Sequence, residues 1–323
     1  MLFIVMHHIF YHGQLYHKSS YPAHAKIAFW SNKFVYSGVD IFGLISGFVG
    51  YTDYPKPQKR RNYWRLWFTI LLYNVTFAVV FRTKTTNLYS FLAFLPPLLR
   101  NDYWYFTAYT GLFCIAPILN AGVRGTELSE KKLVYWRLLI VFSLFDCVFP
   151  RFHLHGGYSC IWVIILYIHG ALIRAYDKQY PLVILVFCLA SLYSVSIFAF
   201  LACPERKIPF GQLNPPLVFS YNSYLSVWIS TVWVLIFAQI KVPNWLKGII
   251  QRLSSHTFAI YVITDNINIR TRFFMQRFDF IFNYPASALL PLCILIGLAA
   301  MTASILLDIP RQFIWKIIQT KIR

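Results

Sequence analysis

The feature that most constrains this chain is a succession of apolar stretches, each about as long as a helix needs to cross a bilayer. They lie near residues 34–52, 63–81, 102–121, 133–150, 157–176, 180–203, 216–240, 247–269 and 285–309. A spanning helix takes about 20 residues to cover a hydrocarbon core of roughly 30 Å. Its backbone must be satisfied internally, which helices do within one segment. The opening MLFIVMHHIFYH is a tenth apolar segment. As a helix, Met1 to Tyr11 covers only about 16 Å, so it reads as the far half of a span. It lacks the positive lead-in and small-residue cleavage site of a signal peptide. The piece at 88–100 is short and broken by Pro96-Pro97, which suits an interfacial or re-entrant segment. The expected fold is an all-α polytopic membrane protein of about ten transmembrane helices, the first shortened at its N-terminus. It forms a single integral membrane domain over residues 1–323.

Composition agrees. Only 13% of residues are charged against 58% hydrophobic, about half the charge of a soluble domain. Thirty basic against eleven acidic residues give a formal net charge of +19. The basic residues are scattered between apolar runs rather than striped along one face, which argues against nucleic acid and for orientation in a bilayer. Of the thirty, 18 fall in 53–65, 122–137, 171–179, 241–252 and the tail from 310. The excess of Lys and Arg places those segments, and the C-terminus, in the cytoplasm. Segment 12–33, with three histidines and few fixed charges, reads as an outer loop. The six cysteines form no CxxC and mostly sit in apolar runs, so neither a disulfide framework nor a zinc site is indicated. Cys203, at a membrane edge, is the thiol expected to meet a water-soluble reagent.

Ionisable groups at membrane depth are costly, by roughly 2.5–3.5 kcal/mol on insertion scales, and those that persist are candidates for function. His7 and His8 come first. Neighbours on a helix point about 100° apart, so one of the two faces a given cavity. Asp40 follows, within SGVDIFGLISGF, where Gly43, Ser46 and Gly47 have the spacing of a close helix contact. The cluster Lys59-Arg60-Arg61 with Arg65 sets topology, and its guanidinium forks also match phosphate. Trp104, Tyr105 and Tyr109 belong to an interfacial aromatic belt or line a pocket. Tyr261, Asp265, Asn266 and Arg270 gather at one helix end, which packing alone explains poorly.

In order and spacing, HHIFYHG, SGVDIFGLISGF, KRRNYWR, YWYFTAYTGLFCIAPILN, GGYSCIWVIILYIHGALIRAY and TFAIYVITDNINIR together resemble the bacterial acyltransferase-3 family. The nearest likeness is to membrane O-acetyltransferases of surface and exopolysaccharide synthesis. The resemblance implies ten membrane helices in the bacterial inner membrane, a cytoplasmic acyl-CoA donor (usually acetyl-CoA) and a glycan hydroxyl acceptor, free or lipid-linked. No metal is needed. It carries over His8 as base or transient acyl carrier, Asp40 and Ser46 of the second-helix motif, and Arg60, Arg61 and Arg65 as holders of the CoA phosphates. Trp104, Tyr105, Tyr261, Asn266 and Arg270 would then face substrate. Relatives carry an arginine about eleven residues ahead of the essential histidine, which counted back from His8 falls before Met1. They also commonly have histidine where this chain has Thr264. The alternative reading is a non-enzymatic transporter or flippase of a lipid-linked glycan.

Overall fold

The computed structural model describes residues 1–58, 60–81, 98, 101–202, 206–208, 211–213 and 220–321. In chain order its main helices are α1 (Leu2–His12), α2 (Pro22–Val35), α3 (Gly38–Gly50), α4 (Arg60–Val80), α5 (Trp104–Gly125) and α6 (Leu128–Leu139). There follow α7 (Cys160–Tyr176), α8 (Leu182–Ala202), α9 (Tyr224–Gln239), α10 (Asn244–Ser254), α11 (Thr257–Asp265) and α12 (Leu289–Lys321). One short antiparallel hairpin pairs β1 (Arg206–Ile208) with β2 (Gly211–Leu213).

Two compact units share the chain. One holds Met1–Val35, Lys59–Tyr103 and Val242–Arg323, the other Tyr36–Gln58 and Trp104–Lys241. The chain passes between them repeatedly, so they are not successive domains. In the first unit, the buried face of α1 (Val5, Ile9, Phe10) meets Ala28 of α2, Ile260 of α11 and Cys293 of α12. In the second, Leu44 of α3, Trp162 and Leu166 of α7 and Val227 of α9 form the main core. Here α3 and α7 approach to backbone contact. A Cβ on Gly47 would run into the Tyr167 carbonyl, and one on Gly170 into the Leu44 carbonyl. The small residues of SGVDIFGLISGF therefore make a helix–helix seam, the usual role of such residues between membrane helices.

Five segments are long and apolar enough to span a membrane: Pro22–Gly50, Arg60–Val80, Trp104–Gly125, Leu182–Ala202 and Ala286–Thr320. Cys160–Tyr176 and Tyr224–Gln239 are apolar but shorter. This is a multi-pass membrane protein, with five such spans among the described residues where the sequence suggested about ten. The differences have local causes. The run 247–269 is not one helix. Its first part is α10, whose Trp245, Ile249, Ile250 and Leu253 stay exposed on one face while Lys247, Gln251 and Arg252 occupy another. That is the pattern of a helix lying in the interface. Asn266 then breaks the run, its backbone extended and its side chain accepting from the Asn268 N–H. In 133–150, α6 gives way to a π-helical turn at Ile140–Phe145. The supposed outer loop 12–33 contains α2, and the supposed tail continues α12 through Pro310. Lys59, Cys203 and, apart from Leu98, the stretch 88–100 lie outside the described residues.

Candidate functional site

α1 presents its two histidines differently. His7 Nδ1 donates to Asn32 Oδ1 at 2.7 Å and its ring stacks on Tyr11, so it ties α1 to α2. His8 is 6% exposed and lies 3.1 Å through Nδ1 from Thr264 Oγ1 on α11. The Thr264 hydroxyl donates its own proton to the Ile260 carbonyl at 2.8 Å. Its oxygen is then an acceptor for His8 Nδ1–H, which fixes the tautomer and leaves Nε2 as the basic nitrogen. One turn on, His12 lies with its ring centroid 5.4 Å from that of His8, and its Nε2 is 3.6 Å from Asp265 Oδ1. Arg270 reaches the same oxygen at 3.6 Å. His8, His12 and Asp265 bring ligand atoms within 4.8 Å of one another, a donor set with the composition of a divalent-ion site. The Arg270 guanidinium already neutralises that carboxylate and would repel a second cation.

The neighbours of this cluster come from the sequence's last motif. Tyr261 lies 6.5 Å from His8, ring to ring, and 6.0 Å from Tyr103. Asn266 is fully engaged: its amide donates to Asn74 Oδ1 and the Tyr103 oxygen, and its carbonyl oxygen caps the following turn. Asn266 thus holds α4 against the end of α11.

At the opposite end of α11, the same unit carries a basic cavity of about 490 Å³. Arg60, Arg61 and Arg65 from α4 line it together with Ser255, Arg311, Gln312, Trp315 and Lys316. Its floor is a buried polar network. Asp308, wholly buried, accepts from Arg311 twice (2.5 and 2.7 Å), from His256 Nδ1 at 2.7 Å and from the Tyr73 hydroxyl at 2.8 Å. Sequence reasoning missed His256, Asp308 and Arg311. The available signal was an Asp and an Arg three apart on a helix, at the end of an apolar run.

The other predicted residues lie in the second unit. Asp40 is buried and accepts from the Trp162 indole at 3.1 Å through one oxygen, while its other oxygen has no hydrogen-bond partner. The Ser46 hydroxyl donates back to the Phe42 carbonyl at 2.9 Å. Tyr105 is buried edge-on against Phe42. Trp104 instead joins an aromatic cluster, 4.8 Å from Tyr158 and 6.1 Å from Tyr221, with Tyr36 stacked on Tyr221 at 4.3 Å. Gly157, held at φ +98°, lets the chain pass beneath this cluster, since a Cβ there would strike Tyr221.

The multi-pass chain thus carries a buried, tautomer-fixed histidine and a separate basic cavity in the same unit. The acyltransferase-3 family model, described as an acyltransferase domain, matches residues 1–309, and the chain belongs to that family. No curated protein and no solved structure matches it.

Proposed function

We propose that this protein is a membrane O-acyltransferase of the bacterial inner membrane that moves an acetyl group from cytoplasmic acetyl-CoA to a hydroxyl of a surface or exopolysaccharide sugar. One observation carries the reading. α11 begins beside the basic cavity, at Ser255 and His256, and ends at the histidine cluster, at Thr264 and Asp265. From His256 to Thr264 the helix rises about 12 Å, a gap that an extended arm such as the pantetheine of CoA bridges.

In this reading Arg60, Arg61 and Arg65 hold the CoA phosphates, which guanidinium groups pair in bidentate fashion, while Arg311 stays on Asp308. His8 Nε2 takes the proton of the acceptor hydroxyl, whose oxygen attacks the thioester carbonyl. The C–O ester bond forms, the C–S bond breaks, and the proton passes from His8 to the departing CoA sulfur. Asp265, which holds His12 and Arg270, supplies the negative charge that favours the imidazolium forming in between. Asp40 and Ser46 serve the packing of α3, and Tyr105 belongs to the core.

The test is direct. Purified protein in detergent, given acetyl-CoA labelled in the acetyl group and a bacterial membrane glycolipid extract, should transfer label to glycan and release free thiol. Binding of glycolipid with no measurable binding of acetyl-CoA would remove the acyltransferase reading and leave a lipid-linked glycan transporter.

A further inference from the structure

The second unit contains a cavity that neither the histidine cluster nor the basic donor cavity uses. It has a volume of about 400 Å³ and lies where α6 begins and α7 and α9 end. Three lysines stand on it: Lys131 and Lys132 in the first turn of α6, and Lys178 in the loop after α7. No acidic residue lines it, and among the described residues none of the three lysines has a carboxylate partner. Lys132 lies over the Tyr176 ring at 5.4 Å and Lys178 over Tyr180 at 5.6 Å, so each is held near an aromatic wall. The interior is Tyr135, Trp136 and Trp228, with Trp136 and Trp228 5.6 Å apart.

Two further observations give the chemistry of an occupant. Thr231 lines the cavity, is 3% exposed, and its hydroxyl stands beside that of Tyr135, its hydrogen-bonding neighbour in the wall. Two hydroxyls that share one hydrogen bond keep one O–H hydrogen between them for an acceptor on an occupant. The side wall is also open. Trp136 is 45% exposed, and Leu133 on α6 and Ile140 in the π-helical turn that follows, three and four residues away, are also exposed. Such apolar exposure on a membrane protein faces hydrocarbon. The cavity thus joins a cationic mouth, a buried hydrogen-bonding group and a lateral apolar exit, in that order. A soluble anion would use the first of these and leave the other two unmet.

We infer that this cavity binds an anionic phospholipid, with its phosphate on Lys131, Lys132 and Lys178, an ester carbonyl accepting from Thr231, and its acyl chains leaving past Trp136. Basic pockets between membrane helices are suited to such head groups. The inference does not depend on the acyl-transfer reading, since no residue is shared with that site.

The experiment is thermal unfolding of the full-length protein in detergent with added phosphatidylglycerol, phosphatidylcholine or coenzyme A. Phosphatidylglycerol should raise the midpoint by about 5 °C at saturation, and phosphatidylcholine should not. The increment should vanish in Lys131→Gln/Lys132→Gln/Lys178→Gln, survive in the triple Lys→Arg protein, and shrink in Thr231→Val. If the glutamine variant does not fold, the Thr231→Val increment and native mass spectrometry of retained lipid in the Arg variant decide the matter. Equal stabilisation by both lipids, or an undiminished increment in both the glutamine and valine variants, overturns the site. Stabilisation by coenzyme A alone that is lost in the glutamine variant overturns the lipid and makes this a nucleotide pocket.

Discussion

The two units handle buried polarity in opposite ways. In the first, ionisable groups come in connected sets: Asp308 with Arg311, His256 and Tyr73, and Asp265 with His12 and Arg270. In the second, the buried carboxylates meet neutral donors, Asp40 the Trp162 indole and Asp146 the Phe152 N–H and the Asn222 amide, while glycines bring helix backbones together. Charge removed from water is tolerable when it is paired and hydrogen-bonded. The first unit therefore meets its buried carboxylates with basic partners. The second gains rigidity from close packing and gives its buried carboxylates neutral donors.

Four sets of substitutions would sharpen or break this contrast. The largest effect should come from Asp308→Ala, which leaves the Arg311 guanidinium buried without its counter-ion. The expected cost is about 3–5 kcal/mol, read as a depressed unfolding midpoint in detergent. A variant as stable as the parent would mean that the network is not organising the first unit.

Next is His8→Ala, which should lower acyl transfer at least about a hundredfold with folding intact. His7→Ala should keep most activity, since an interhelical hydrogen bond averages about 0.6 kcal/mol. Thr264→Ser should outperform Thr264→Val, because serine retains the hydroxyl that fixes the His8 tautomer. The reverse ranking of His7 and His8 would shift the assigned register by one residue.

A smaller effect, on the order of tenfold, is expected of Arg60→Gln/Arg61→Gln on the KM for acetyl-CoA, with the acceptor KM unchanged. The orientation of this variant must be confirmed, since these arginines also help set topology. Equal changes in both constants would reduce the cluster to a topology signal. The smallest effect belongs to Asp40→Asn. The amide oxygen still accepts from the Trp162 indole, so stability should move by no more than about 1 kcal/mol and activity should persist. A hundredfold loss there would return Asp40 to the catalytic set and erase the distinction between the units.

What could be read without coordinates follows the same divide. His8 stood out because it breaks an apolar run where an ionisable group is expensive, and Arg60 and Arg61 because they form a dense basic cluster between two runs. The glycine seam of α3 was legible from spacing alone. The pairing of His12 with Asp265 was not, because 253 positions separate them and neither is unusual in its own neighbourhood. Asp308 and Arg311 went unnoticed for a different reason: Pro310 suggested a helix end, whereas α12 carries through it and turns both toward His256 at the start of α11. Hydropathy also merged α10 with α11, since averaging along the chain discards the face on which apolar side chains fall. Trp104 and Tyr105, adjacent in sequence, went to different fates, one to an aromatic cluster and one to the core. Only the direction of each side chain separates them.

α11 is nine residues long and carries a different polar assembly at each end. Inserting one residue would advance its far end by about 1.5 Å and turn it by about 100°, carrying the Thr264 hydroxyl away from the His8 ring. Point changes along its lipid- or core-facing sides leave that phase untouched. Between His256 and Thr264 the length of the helix is therefore under tighter constraint than the identity of most of its residues. An indel there should be as damaging as the loss of the histidine itself.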